Sequence, residues 1–311
     1  MKKSKRITNE DSDKKQKMLI GILAVVIVIL LGVVALNINK DEAKQVSAQQ
    51  GEGLESGDKD DDSSSLKEER LTYTSYENDI NADNAREIEN MLNKWNYLRS
   101  DGKKIVYLTF DDGPSIETTP KILETLKNND IKATFFVLGS NVEKTDTQKE
   151  LLKEMVKEGH AIGNHGYCHD YSILYPGRVA DTTAFINDME KSENVMKSVL
   201  GDDFSTKVIR FPGGHMSWKT GELDPVLEQD GYTYVDWNVL NGDAEGNGKT
   251  VDQLINRLKE TVTNLCGNDD VLVVLMHDTD AKPTTAESLQ QSIDYLKSLG
   301  YEFRTLKWDT G

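Results

Sequence analysis

From Lys103 onward the sequence predicts an α/β fold, a barrel-like (β/α) arrangement with one unit fewer than the eight-fold version. Three observations predict it. Short β-rich runs alternate with helical stretches, the pattern of a parallel sheet with helices outside. Gly159, Gly231 and Gly300 stand where helices should stop, as C-caps do. Polar residues gather just after the strands, at their carboxyl ends, where loops of parallel α/β folds form sites. An open doubly wound sheet is the second choice.

The elements follow in order. The chain has 311 residues, 37% hydrophobic and 29% charged, and a formal net charge of -16. That acidity argues against a nucleic-acid partner, which favours a basic surface. Residues 18–36, MLIGILAVVIVILLGVVAL, carry no charge. About 20 apolar residues span a bilayer as a helix. Lys2, Lys3, Lys5, Arg6, Lys14, Lys15 and Lys17 precede them, so residues 1–17 are expected to be a basic cytoplasmic tail and everything after Leu36 to lie outside. The run is longer than the apolar core of a cleaved signal peptide, about 7–15 residues, which favours a retained single-pass anchor. Residues 37–70 are rich in Asp, Glu, Ser, Gly and Gln and hold no aromatic residue, so they read as a flexible tether. Within 71–102, Ile88, Met91, Leu92 and Trp95 recur at helical spacing, predicting a short membrane-proximal helix against the main domain, 103–311.

The strands predicted in that domain are KIVYLTF (104–110), ATFFVL (133–138), HAIGN (160–164), VIRF (208–211), TYVDWN (233–238), VLVVLMH (271–277) and YEFRTL (301–306). Helical stretches separate them. Asp111 and Asp112 follow the first strand, and His165 and His169 the third. Arg210 closes the fourth, Asp236 the fifth and His277 the sixth. The two cysteines, Cys168 and Cys266, fall at opposite ends of this arrangement and are expected not to be bonded.

Adjacent Asp111 and Asp112 repel unless something compensates. His165 and His169, four residues apart, with Asp112 offer two imidazoles and one carboxylate. Three protein ligands and an open position make a catalytic zinc site, although cobalt, manganese or iron suit the same ligands. A metal bound to one carboxylate keeps the other ionised, ready to act as general base towards an activated water. Arg210 suits the orienting of that base. His277 suits a general acid, with Asp236 to hold its ring. Trp237 suits the wall of a sugar pocket, and FPGG (211–214) offers backbone amides for an oxyanion. Paired carboxylates of a glycosidase need about 5–9 Å between them, which chain neighbours rarely reach, and have no need of the histidines. A non-catalytic wall-binding protein would have tolerated loss of Asp111 or His277.

TFDDGP (109–114), HGYCH (165–169), RFPGG (210–214), VDW (235–237) and LMH (275–277) occur in the order of five motifs. Over about residues 100–310 the chain resembles the polysaccharide deacetylases, the NodB-homology group also called carbohydrate esterase family four. The resemblance implies a distorted (β/α)7 barrel and metal-dependent removal of acetyl groups from N-acetylated sugars, with zinc the expected metal. Carried over by motif, Asp111 is the base, and Asp112, His165 and His169 hold the metal. Arg210 tunes Asp111, and His277 is the acid, assisted by Asp236. Gly213 gives its amide to the oxyanion site, and Trp237 and Leu275 line the acetyl pocket. The anchor and tether point to a cell-wall glycan, peptidoglycan before chitin oligomers or acetylated xylan. Two positions depart from the pattern. Gly166 stands where a Ser or Thr usually steadies the loop between the ligands, and Gly213 where an aromatic residue is common.

Overall fold

A computed structural model describes residues 72–308 apart from 267 and 268. The run at 18–36 and the tether at 37–70 lie outside the described residues. Among those described, no helix is long and apolar enough to cross a membrane.

The strands are β1 (Ala82–Asn84), β2 (Ile105–Asp111), β3 (Thr134–Val137), β4 (Ala161–Asn164), β5 (Val208–Ile209), β6 (Thr233–Tyr234), β7 (Val239–Leu240), β8 (Val271–His277), β9 (Glu302–Phe303) and β10 (Thr305–Lys307). The helices used below are α1 (Ala85–Asn93), α2 (Thr118–Asn128), α3 (Asp146–Lys157), α4 (Tyr171–Leu174), α5 (Thr182–Leu200), α6 (Val251–Thr261) and α7 (Pro283–Ser298). The main sheet runs β6-β5-β4-β3-β2-β8-β7, with every pairing parallel. The end strands β6 and β7 do not pair with each other, so the sheet is curled but not closed.

The sheet has eight strands against the seven expected, seven along its path and β9 beside β2, and the membership differs. The run 233–238 is not one strand: β6 ends at Tyr234, and β7 begins at Val239 on the opposite edge of the sheet. The run 301–306 switches partners at Arg304, so β9 pairs with the start of β2 and β10 pairs with β1. Gly159, Gly231 and Gly300 have φ of 83°, 76° and 84° at helix ends, as C-caps require.

Alternation along β2 and β8 sorts the core into two layers and delivers the site. Val106, Leu108 and Phe110, with Leu272, Val274 and Met276, face outward into a cluster shared with α2, α3, α6 and α7. Ile105 and Tyr107, with Val271 and Val273, face inward, where Ile88 and Leu92 of α1 meet them. The predicted helix therefore sits beneath the inner face and shares its core. Asn84 caps it by accepting from the Arg86 amide at 2.9 Å. Continuing the inward series beyond this apolar floor brings Thr109 and Asp111 on β2, then Leu275 and His277 on β8. The parallel register sets Asp111 opposite His277.

Candidate active site

Asp111 is buried, on the last residue of β2. Arg210, wholly buried, donates to its Oδ1 at 2.8 Å. The same guanidinium donates to Thr109 Oγ1 at 2.6 Å, Val235 O at 2.7 Å and Asp236 O at 3.2 Å. Burial pushes the Asp111 carboxyl above its usual range, against the pull of Arg210 and His277. A carboxylate with a raised pKa is a better base.

Strand alternation would send Asp112 away from Asp111. Instead Asp112 takes φ of 71°, a left-handed backbone uncommon outside glycine. Both carboxylates consequently reach one histidine: His165 Nε2 lies 3.8 Å from Asp111 Oδ2 and 3.5 Å from Asp112 Oδ1. The next residue, Gly113, leaves no room for a side chain, because an added Cβ would fall 2.1 Å from the Asp278 carboxylate. That carboxylate is fixed by a 2.7 Å bond from Thr119 Oγ1. The glycine of the first motif is thus a packing requirement.

Ligand-capable atoms of Asp112, His165 and His169 all lie within 4.8 Å of one another. His169 Nε2 is 3.6 Å from Asp112 Oδ1. Nδ1 of His165 donates to Arg210 O at 2.8 Å, which leaves the Nε2 lone pair available to a metal. Burial, reinforced by neighbouring His169, holds the His165 pKa down to about 3, so the ring is neutral. Asp112 Oδ1 is buried with no hydrogen-bond partner among the described residues. A buried carboxylate oxygen without a donor, aimed between two imidazole nitrogens, fits a divalent cation.

The loop between the histidines is braced without the hydroxyl that position 166 usually supplies. Asn164 Oδ1 accepts from the Gly166 amide at 2.8 Å. Asp188, on α5, accepts from the amides of Tyr167 and Cys168 at 2.7 and 3.1 Å. A Cβ at Gly166 would lie 2.4 Å from Asp188 Oδ2. The Asp188 carboxylate thus occupies the space of the missing side chain, and the loop is not loosened. Cys168 is a free thiol; the Cys266 side chain lies outside the described residues.

His277 ends β8, and its partner differs from the one expected. Asp243 Oδ1, not Asp236, lies 2.9 Å from His277 Nδ1, and Asp243 Oδ2 accepts from the His277 amide at 2.8 Å. Thr285 Oγ1 holds Oδ2 at 2.8 Å. Burial pulls the His277 pKa down, but Asp243 outweighs it and the ring is pushed up to about 10. An imidazolium with Nε2 left over is the form a general acid needs. Asp236 instead accepts from the amides of His215 and Met216 at 3.0 and 3.4 Å. It braces the loop after FPGG: β6 stops at Tyr234 on one edge of the sheet, while His277 ends β8 next to the other.

Gly213, φ 80°, lies in that loop, and its amide donates to no group among the described residues. Trp237 lies over the loop, where a Cβ at Gly214 would fall 2.7 Å from its ring. Leu275 is buried on the inner face of β8, in register with Thr109 and Leu240. The structure therefore gathers Asp111, Asp112, His165, His169, Arg210 and His277 at one end of the sheet. Sequence reasoning missed Asp243 and Asp188. The only local signal for Asp243 is an acidic residue in a glycine-rich turn, and Asp188 gives none.

Known proteins match this chain in sequence and in fold. A family model described as polysaccharide deacetylase matches residues 99–235. A peptidoglycan-N-acetylglucosamine deacetylase of Bacillus cereus is 33% identical over 215 residues, covering 68% of this chain and 73% of the relative. The solved structure of a Streptococcus mutans CE4 esterase superposes with a TM-score of 0.66 at 39% identity, over 73% of this chain and 92% of that one. The catalytic domain of a peptidoglycan N-acetylglucosamine deacetylase from Eubacterium rectale superposes with a TM-score of 0.56 at 30% identity, over 68% and 92%. These matches show that the chain belongs to the polysaccharide deacetylase family, carbohydrate esterase family four, whose members are hydrolases acting on amide bonds.

Proposed function

We propose that the chain removes N-acetyl groups from N-acetylglucosamine of peptidoglycan, outside the cell and with zinc as its metal. One observation carries the chemistry: a buried carboxylate held by Arg210 and an imidazolium held by Asp243 face each other across the β2–β8 register, beside the Asp112–His165–His169 cluster.

Asp112, His165 and His169 would hold the cation, which supplies Lewis acidity for the acetyl oxygen and lowers the pKa of water. Asp111, with Oδ1 tied to Arg210, takes a proton from the attacking water through Oδ2. The water oxygen bonds to the acetyl carbon, and the carbonyl electron pair moves onto the oxygen. The Gly213 amide is free to donate to that oxygen. His277 then protonates the sugar nitrogen as the carbon–nitrogen bond breaks, leaving acetate and a free amine. Asp243 keeps the ring charged until that step.

The substrate and location rest on the relatives' activity and on the sequence. Two of the relatives described above act on peptidoglycan N-acetylglucosamine by name. The apolar run at 18–36 would tether the enzyme to the membrane with its catalytic domain outside, where the wall is the nearby glycan.

The test is acetate release from purified peptidoglycan by the full-length chain in detergent, as made, after chelation, and after zinc is restored. Release that stops on chelation and returns with zinc supports the proposal. Activity on chitin oligomers or acetylated xylan alone keeps the chemistry and overturns the substrate. Silence on all three glycans favours a wall-binding protein.

A further inference from the structure

Gly213 lacks the side chain that commonly follows the proline of its motif, and another residue stands in the space. A Cβ at Gly213 would lie 3.0 Å from the hydroxyl of Tyr171 and 3.2 Å from the Trp218 ring. Tyr171 opens α4, two residues after His169, and Asp170 fixes that turn by accepting from the Ser172 amide at 2.9 Å. Its ring lies 5.2 Å from the His169 ring and 5.0 Å from the Trp218 ring. Trp218 stacks on Tyr175 at 4.1 Å and donates from Nε1 to Pro212 O at 2.9 Å. The phenol is therefore held against the same loop that carries the Gly213 amide.

Its hydroxyl differs from those that are tied to the protein. The hydroxyls of Tyr73, Tyr107, Tyr167 and Tyr301 each donate to a protein oxygen. The Tyr171 hydroxyl makes no hydrogen bond among the described residues, and it is not among the buried atoms without a partner. A phenylalanine would fill the aromatic stack equally well, so packing does not account for the oxygen. A phenol is protonated at neutral pH, since its ordinary pKa is about 10.

We propose that Tyr171 is a catalytic residue whose hydroxyl donates a hydrogen bond to the substrate's acetyl oxygen, beside the Gly213 amide. Two donors from different loops, the amide on one and the phenol on the other, converge beside a metal ligand. Such a pair stabilises an oxygen as it gains negative charge. The inference rests on the deacetylase reading. It also gives a reason for glycine at 213, where φ is 80° and a Cβ would crowd the phenol at 3.0 Å.

The test compares the full chain with Tyr171→Phe, zinc-loaded, on N-acetylated and N-trifluoroacetylated forms of one glycan oligomer. The phenylalanine keeps the ring contacts. The expected result is a kcat lower by about 10²-fold on the acetyl substrate, with KM unchanged and zinc content intact. The loss should shrink on the trifluoroacetyl substrate, whose developing oxyanion needs less stabilisation. A wild-type chain that releases no acetate overturns the deacetylase reading and this role with it. An active wild type with an equally active Tyr171→Phe overturns the role alone. A loss expressed in KM or zinc content, or equal on both substrates, makes Tyr171 a support for His169 and overturns the role too.

Discussion

Asp111 and His277 face each other across the longest ladder of the sheet, whereas His165, His169, Gly213 and Asp243 sit on loops beyond strands of two to four residues. The β2–β8 seam brings its pair together by alternation and register, on an apolar floor closed by α1, and Arg210 and Asp243 then fix the two side chains. The loop side has no such ladder to lean on. It is held by single side chains that accept backbone amides: Asn164, Asp188, Asp236 and Asp243. Regular structure thus positions the proposed proton-transfer groups, and carboxylates and amides brace the loops that carry the proposed metal and substrate groups. Changes on the two sides should fail differently.

The largest effect belongs to His165→Ala, which removes a ligand from the loop side. Elemental analysis should find the metal lost, and acetate release should fall to background. Retained metal with full turnover would break the assignment. On the seam, Asp111→Asn should lower turnover by about 10²–10⁴-fold while metal content is kept. It also leaves Arg210 buried without its anion, so denaturant unfolding should show a loss approaching the about 3–5 kcal/mol of a broken buried pair.

Asp243→Asn tests the bridge between the sides. Without the carboxylate, only the weaker pull of Asp112 and Asp111 opposes burial, and the His277 pKa must fall from about 10. The alkaline limb of the pH–rate profile should move to lower pH, and kcat at neutral pH should fall by about 10²-fold. An unmoved limb would remove His277 as the acid. Gly166→Ser should be worse than the natural glycine, because its Cβ displaces Asp188. Metal affinity should drop by about 10–100-fold, as for other groups that support ligands. Improved affinity would show that the loop lacks the hydroxyl after all. Ile88→Ala, under the seam, should cost about 2–5 kcal/mol of stability and leave kcat of the folded fraction unchanged.

The seam was legible in the sequence because buried parallel strands read as apolar runs, and VYLTF and VLVVLM are long enough to stand out. Their polar ends then named Asp111, Asp112 and His277. The loop side was legible only where residue type is chemically specific, as for His165, His169 and Arg210. Strands of two residues leave no pattern, so TYVDWN read as one strand although the chain crosses there from one sheet edge to the other. That crossing decides which acid meets His277. Asp236 and Asp243 lie seven residues apart in the sequence, and nothing local favours the second. Position 166 likewise showed a missing hydroxyl, while the carboxylate that replaces it comes from a helix later in the chain.

Arg210 ties Asp111 to Thr109, Val235 and Asp236, with no part of it reaching solvent. Mutational drift meets this knot as a single object. A nonpolar replacement of Asp111 strands a cation in the interior, so the change that silences the enzyme also threatens the fold. A descendant with a nonpolar residue at 111 regains that stability only by losing Arg210 as well, or by recruiting another anion to meet it. Loss of function through a nonpolar residue at 111 is therefore a two-step path, and its first step is penalised even where the activity itself has ceased to matter.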